Sequence, residues 1–120
     1  MRENERNRGF KLEQNYPNPF NPETKIPFVL DETLFEDGES PTVSIRILNI
    51  LGQFVASPVP LSVLGGERAP LLQVEYPAPG RYEAYWDGRD RNGNLVASGV
   101  YLVKLIVDGE EDMMKMFVTK

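Results

Sequence analysis

The sequence predicts an all-β chain folded as an antiparallel β-sandwich of about seven short strands. Three observations predict it. Every segment with a clear hydrophobic pattern repeats every second residue, the period of a strand with one buried face. Turn-forming residues interrupt these segments at short intervals, with 10 Gly and 10 Pro among 120 residues, which leaves no room for long helices. No segment sustains the three-and-four spacing of an amphipathic helix. A chain of 120 residues is long enough for one hydrophobic core and too short for two.

Taken in order, Met1 to Arg8 is charged and has no apolar residue after Met1. It reads as a flexible tail, and residues 1–14 are assigned to a linker ahead of a domain spanning 15–120. Asn15-Tyr16-Pro17-Asn18-Pro19-Phe20-Asn21-Pro22 follows. Its prolines fix φ, remove backbone donors and bias their neighbours away from the helical region, so it is an ordered, extended or turning lead-in. Lys25 to Leu30 is rich in strand formers, but Pro27 predicts an edge strand or a strand start. Glu36 to Ser40 reads as a solvated turn. Thr42 to Asn49 alternates, with Val43, Ile45 and Ile47 on one face. Leu51-Gly52-Gln53 turns the chain into a short return strand ending at Ala56.

Ser57 to Pro70 carries three prolines and two glycines and cannot be a central strand. Leu71 to Tyr76 is a further strand candidate. Arg81 to Trp86 places Tyr82, Ala84 and Trp86 on one face. Asn92-Gly93 predicts a tight hairpin turn, because such turns need positive φ. Leu95 to Ser98 reads as short strand. Val100 to Val107 is the most strand-prone run, with Tyr101, Val103, Leu105 and Val107 facing one way. Asp108-Gly109 is a second hairpin turn, and Met113 to Thr119 returns with Met114, Met116 and Val118 inward and Lys115 outward.

Composition excludes several kinds of chemistry. The chain has no Cys and no His. It therefore has no disulfide, thiol nucleophile or thiolate metal site, no Ser-His-Asp triad and no His-based zinc site. A net charge of −5 argues against nucleic acid, whose phosphates call for clustered Lys and Arg. No apolar run approaches the roughly 20 residues of a membrane span. No signal-peptide pattern opens the chain, so export would require a signal upstream in a larger parent.

The residues left for chemistry favour structural roles. Asp87, Asp90 and Asn92 share one loop, but with Gly93 as the glycine of a calcium loop the first ligand position falls on Gly88, which has no side chain. Asp and Asn also belong in turns, where they bind neighbouring amides. Glu36-Asp37 with Glu39, and Glu110-Glu111-Asp112, read as solvated turns, not as a catalytic carboxylate pair. Trp86, Tyr82 and Tyr101 are expected in the core, which leaves Tyr85 as the exposed aromatic. The expectation is no catalytic residue, no cofactor and no metal.

The lead-in resembles, residue for residue, the opening signature of the type IX secretion C-terminal sorting domains, and also the immunoglobulin-like domain of the flagellar hook-capping protein. Four further elements follow in the family's order. They are Asn49-Ile50-Leu51-Gly52, then Gly80-Arg81-Tyr82 with Trp86-Asp87-Gly88-Arg89-Asp90. After these come Asn92-Gly93 with Val96-Ala97-Ser98-Gly99-Val100-Tyr101, and the closing Met113 to Lys120. Two stretches, Leu34 to Pro41 and Ser57 to Tyr76, are longer than the family's usual connections.

The resemblance implies an immunoglobulin-like sandwich that serves as a non-catalytic address tag. Its partners would be the type IX machinery, including sortase-like outer-membrane components, and covalently linked N-terminal parent domains. Its destination would be the cell surface or the medium, by way of the periplasm. The resemblance also implies a recognised end made of Asn15, Tyr16, Pro17, Asn18, Pro19, Phe20, Asn21 and Pro22 together with Gly99, Lys115, Met116, Val118 and Lys120. The alternative is a structural or carbohydrate-binding accessory module of a multidomain extracellular protein, with Tyr85 as its sugar contact.

Overall fold

A computed structural model of the chain describes residues 8–61 and 69–119. Among the described residues nine strands form two antiparallel sheets: β1 Phe10–Leu12, β2 Thr24–Leu30, β3 Thr42–Leu48, β4 Phe54–Ala56, β5 Val59–Pro60, β6 Val74–Glu75, β7 Gly80–Trp86, β8 Gly99–Val107 and β9 Glu110–Val118. The first sheet has the order β1-β2-β7-β5. The second has the order β4-β3-β8-β9, with β6 alongside β3. One 3-10 turn, Glu32–Phe35, is capped by Asp31, whose carboxylate accepts the Thr33 amide at 2.9 Å. The expected tail up to Asn7, part of the Ser57 to Pro70 loop, and Lys120 lie outside the described residues.

The alternation read from the sequence is what closes the sandwich. Ile26, Phe28 and Ala84 of one sheet meet Val43, Ile45, Ile47, Val103 and Leu105 of the other, all fully buried. Each of the Val, Ile, Leu and Phe side chains contributes about 1.5–3 kcal/mol by leaving water. Two edge-on aromatic groups occupy the ends of the core. Trp86 lies 5.6 Å from Phe20 and 6.0 Å from Tyr101. Tyr76 lies 5.7 Å from Phe28 and 4.6 Å from Tyr82. In the first group the polar ends reach backbone carbonyls: the Trp86 indole donates to Arg89 at 2.9 Å and the Tyr101 hydroxyl to Ala97 at 2.9 Å, as buried aromatics of this kind require.

The Asp108-Gly109 hairpin forms as expected, with both residues at positive φ, 48° and 88°. That geometry matches the twist of β8 and β9 and sets a register from Gly99↔Val118 to Val107↔Glu110. The other Gly-containing turn differs. At Asn92-Gly93 only Gly93 has positive φ, because the Asp90 carboxylate accepts the Asn92 and Asn94 amides and holds a wider loop. Leu95 to Ser98 is correspondingly not a strand. It makes one isolated bridge, Arg89↔Leu95, and Val96 donates to Gly88 at 2.9 Å.

Two further expectations are corrected. Pro27 sits inside a central strand, between β1 and β7. It is tolerated because its backbone faces the β1 side, where β1 has just ended. There its carbonyl accepts the Glu13 amide at 2.9 Å, and only the reciprocal donation is lost. The 1–14 linker is corrected as well: Phe10–Leu12 is the outer strand of the first sheet, with Phe10 and Leu12 buried. The short alternation Phe-Lys-Leu buries two apolar side chains that a charge-based reading of the tail passes over.

Burial pushes the Tyr76 hydroxyl from 10.0 up to about 12, with a smaller contribution from Tyr82. The neutral form is therefore favoured in the folded state. This contribution to stability is complete below pH 10 and is lost as pH rises from about 10 through about 12. Denaturant midpoints should fall across that interval, and Tyr76→Phe should make the decline shallower.

Candidate functional site

The lead-in is tied to the sheets by a few specific hydrogen bonds. Prolines at 17, 19 and 22 supply no N–H, and all three prolyl bonds are cis. Tyr16 exchanges two backbone hydrogen bonds with Lys25, each 2.9 Å. Asn15 is 2% exposed, and its amide donates to Thr24 Oγ1 at 3.0 Å and to the Pro17 carbonyl at 3.2 Å. Thr24 Oγ1 donates to the same carbonyl at 3.0 Å. The signature asparagine thus staples the proline turn to β2.

Beyond that staple the lead-in runs beside the last strand. Phe20 makes a parallel bridge with Val118: its amide donates to Phe117 O at 3.0 Å, and its carbonyl accepts the Thr119 amide at 2.9 Å. Asn18 Oδ1 accepts the Phe117 amide at 2.9 Å. Gln14 donates to the Lys115 carbonyl at 3.2 Å. Arg8 donates to Glu111 O at 2.6 Å and pairs with Asp112 at 3.7 Å. Residues 8–20 therefore engage the free side of β9 at Glu111, Asp112, Lys115, Phe117 and Thr119, which blunts an edge that would otherwise invite strand addition.

This arrangement unites the two sets of predicted recognition residues. Tyr16, Pro17, Pro19, Asn21 and Pro22 are exposed, Asn18 is half-buried, and Phe20 is a core residue at 1% exposure. Lys115 is exposed and Gly99 lies opposite Val118. Met116 and Val118 point into the core, at 0% and 6% exposure, so on this strand the exposed side chains are Glu110, Glu111, Met113, Lys115 and Phe117. Lys120 is outside the described residues.

Gly88 belongs to the same assembly, though sequence reasoning did not assign it there. Its φ is +80°, and a Cβ would stand 2.2 Å from the Pro22 carbonyl oxygen. Only glycine admits the lead-in that closely. The signal was its place after Trp86-Asp87, but the neighbour that excludes a side chain is 66 residues away in sequence. Gln14, Asp112 and Thr119 were missed for the same reason.

The electrostatics around the lead-in are shallow. The Tyr16 hydroxyl donates to the Glu83 carboxylate, and that bond raises its pKa above the usual value. Arg81 reaches Glu13 at 3.1 Å and Glu83 at 3.4 Å, and the Glu13 hydrogen bond raises its pKa too. All of these groups touch water, where such pairs add little stability. They fix the direction of Tyr16.

The other candidates from the sequence are occupied by local structure. Asp87 Oδ1 accepts the Arg89 amide at 3.0 Å, and Asp90 holds its own loop. Among the described residues no group of three or more acids is placed to hold a metal ion. Trp86 is buried at 2% exposure. Tyr85 is half-buried beside a groove of about 590 Å³ with Phe54, Pro58 and Leu72. No helix among the described residues is long and apolar enough to cross a membrane.

No family model matches the chain, and no curated protein matches it. Among solved structures it is similar to PorZ, an essential bacterial surface component of the type-IX secretion system of Porphyromonas gingivalis. The identity is 19% and the TM-score 0.46, over 93% of this chain and 12% of that one.

Phe20→Ala should cost about 3–5 kcal/mol in denaturant unfolding, since it opens a cavity against Trp86 and loosens the β9 edge. Asn18→Ala should leave the fold intact and speed amide exchange at Phe117 by about five-fold, the equivalent of one net hydrogen bond of about 1 kcal/mol. Exchange at Val103, deep in β8, should not change.

Proposed function

We propose that this chain is a non-catalytic sorting domain. It directs a larger secreted parent, covalently joined at its N-terminal side, across the outer membrane by type IX secretion, to surface attachment or release. One observation carries the reading beyond the sequence resemblance. The signature lead-in and the closing strand, 99 residues apart at Asn18 and Phe117, are hydrogen-bonded into one ribbon. Machinery that grips this ribbon reads both ends of the domain at once, and it does so only when the domain is folded. The sandwich supports the reading in a second way, because Asp87 and Asp90 bind amides of their own loop and Trp86, Tyr82 and Tyr101 pack in the core. The domain acts by being recognised, through the type IX machinery and its sortase-like outer-membrane components.

The test is export of a soluble reporter fused ahead of residue 1 in a host with type IX secretion. The fusion should reach the surface or the medium. Truncation from Met113 should stop it, but that also strips Met116 and Val118 from the core, so surface variants are the sharper probe. Lys115→Glu, with circular dichroism and melting unchanged, should lower the exported yield several-fold. A fusion retained in the periplasm, or full-yield export of the truncation, would end the sorting reading.

A further inference from the structure

The two outer faces of the sandwich differ in chemistry. On the first sheet the outward positions of β1, β2 and β7 are Lys11, Lys25, Pro27, Val29, Arg81, Glu83 and Tyr85, and the exposed ones, Lys11, Lys25 and Arg81, are all charged. On the second sheet β8 turns Val100, Leu102 and Ile106 outward, with Lys104 as the one charged position. Leu102 lies between Leu48 and Lys115 in register, and Lys104 between Arg46 and Met113. Phe54 pairs with Leu48 at one border, and Phe117 pairs with Val100 at the other. Phe117 is 43% and Met113 51% exposed. Beyond Leu48 the turn tip adds Ile50 and Leu51, at 70% and 77% exposure. A face that sets exposed apolar side chains beside cations in this way fits a contact site on a small domain.

Its charges narrow the kind of partner. In a chain of net charge −5, this face gathers Arg46, Lys104 and Lys115 against Glu111, which pairs with Lys104 at 3.5 Å. Arg46 lies 5.8 Å over the Phe54 ring, with Arg91 5.5 Å from the same ring. Neither Arg46 nor Lys115 has an ion-pair partner among the described residues. The cations stand in the middle of the apolar surface, where a partner's carboxylates would be desolvated on contact. Aromatic, Met and Arg side chains are also those that protein interfaces favour.

We propose that the outer face of the β4-β3-β8-β9 sheet docks an apolar, carboxylate-bearing face of a partner protein. This rests on the sorting reading and adds to it: the partner is a component of the export machinery, and it meets the domain on the face that Lys115 and Phe117 of the closing strand already share.

The experiment places a photo-crosslinking amino acid at Ile106, and separately at Val29 on the opposite sheet, in the reporter fusion during export. Ile106 should give an adduct with an outer-membrane protein of the type IX system, and Val29 should not. Arg46→Glu should remove that adduct and lower export about five-fold without changing the melting temperature, while Lys11→Glu should leave both unchanged. An Ile106 adduct with lipid, or only with a second copy of the chain, overturns the proposal. So does the absence of an adduct from a fusion that is still exported, although sorting itself would survive. A fusion that is never exported removes the sorting reading, and this inference with it.

Discussion

Phe20 joins the beginning of the domain to its end through one backbone bridge and one buried ring. Its amide and carbonyl close the outer side of β9 at Phe117 and Thr119, while its ring packs edge-on against Trp86. Much of the architecture depends on that junction. Without it the last strand has an open edge, and the lead-in has no reason to follow the sheet. The prolines complement it by removing donors that a segment crossing between two sheets could not easily satisfy. Asn15 and Gly88 complete the path, the first by stapling the turn to Thr24 and the second by having no side chain where Pro22 passes.

The opposite seam of the sandwich is closed differently. There Leu71 is fully buried and continues the β3 side, accepting the Ile45 amide at 2.9 Å and donating to Pro58 at 2.8 Å. Ser57 adds a hydroxyl bond to the Ile45 carbonyl at 2.8 Å. Both seams are sealed by irregular, proline-bearing chain instead of long strands, which protects the edges and also explains why β5 and β6 are only two residues each. The sealing leaves the two sheet faces as the broad surfaces available for contact. On one of them the exposed side chains are charged, and on the other exposed apolar side chains stand beside cations.

Several polar side chains of the turns are bound within the fold. The carboxylates of Asp31, Asp87, Asp90 and Asp108 each accept a backbone amide at a turn. The hydroxyls of Tyr82 and Tyr101 go to carbonyls of their own loops. These side chains hold turns in shape, and those turns set the strand registers that expose Lys115 and Phe117 while burying Met116 and Val118.

Much was decided by the linear sequence alone. Alternation at Val43 to Ile47 and Tyr101 to Val107 determined which face of each strand is buried, because a period of two admits one apolar side only. Asp108-Gly109 determined the last hairpin, because its two residues accept positive φ. Other features were decided by tertiary contacts. Pro27 lies in a central strand because β1 stops beside it, and the Asn92-Gly93 loop is wide because Asp90 takes its amides. Phe10 to Leu12 is a strand because a three-residue alternation gains its value only once β2 is beside it. The pairing of lead-in with closing strand was likewise invisible in the sequence. Each of its hydrogen bonds joins groups about a hundred positions apart, and neither segment alone carries a pattern that names its mate.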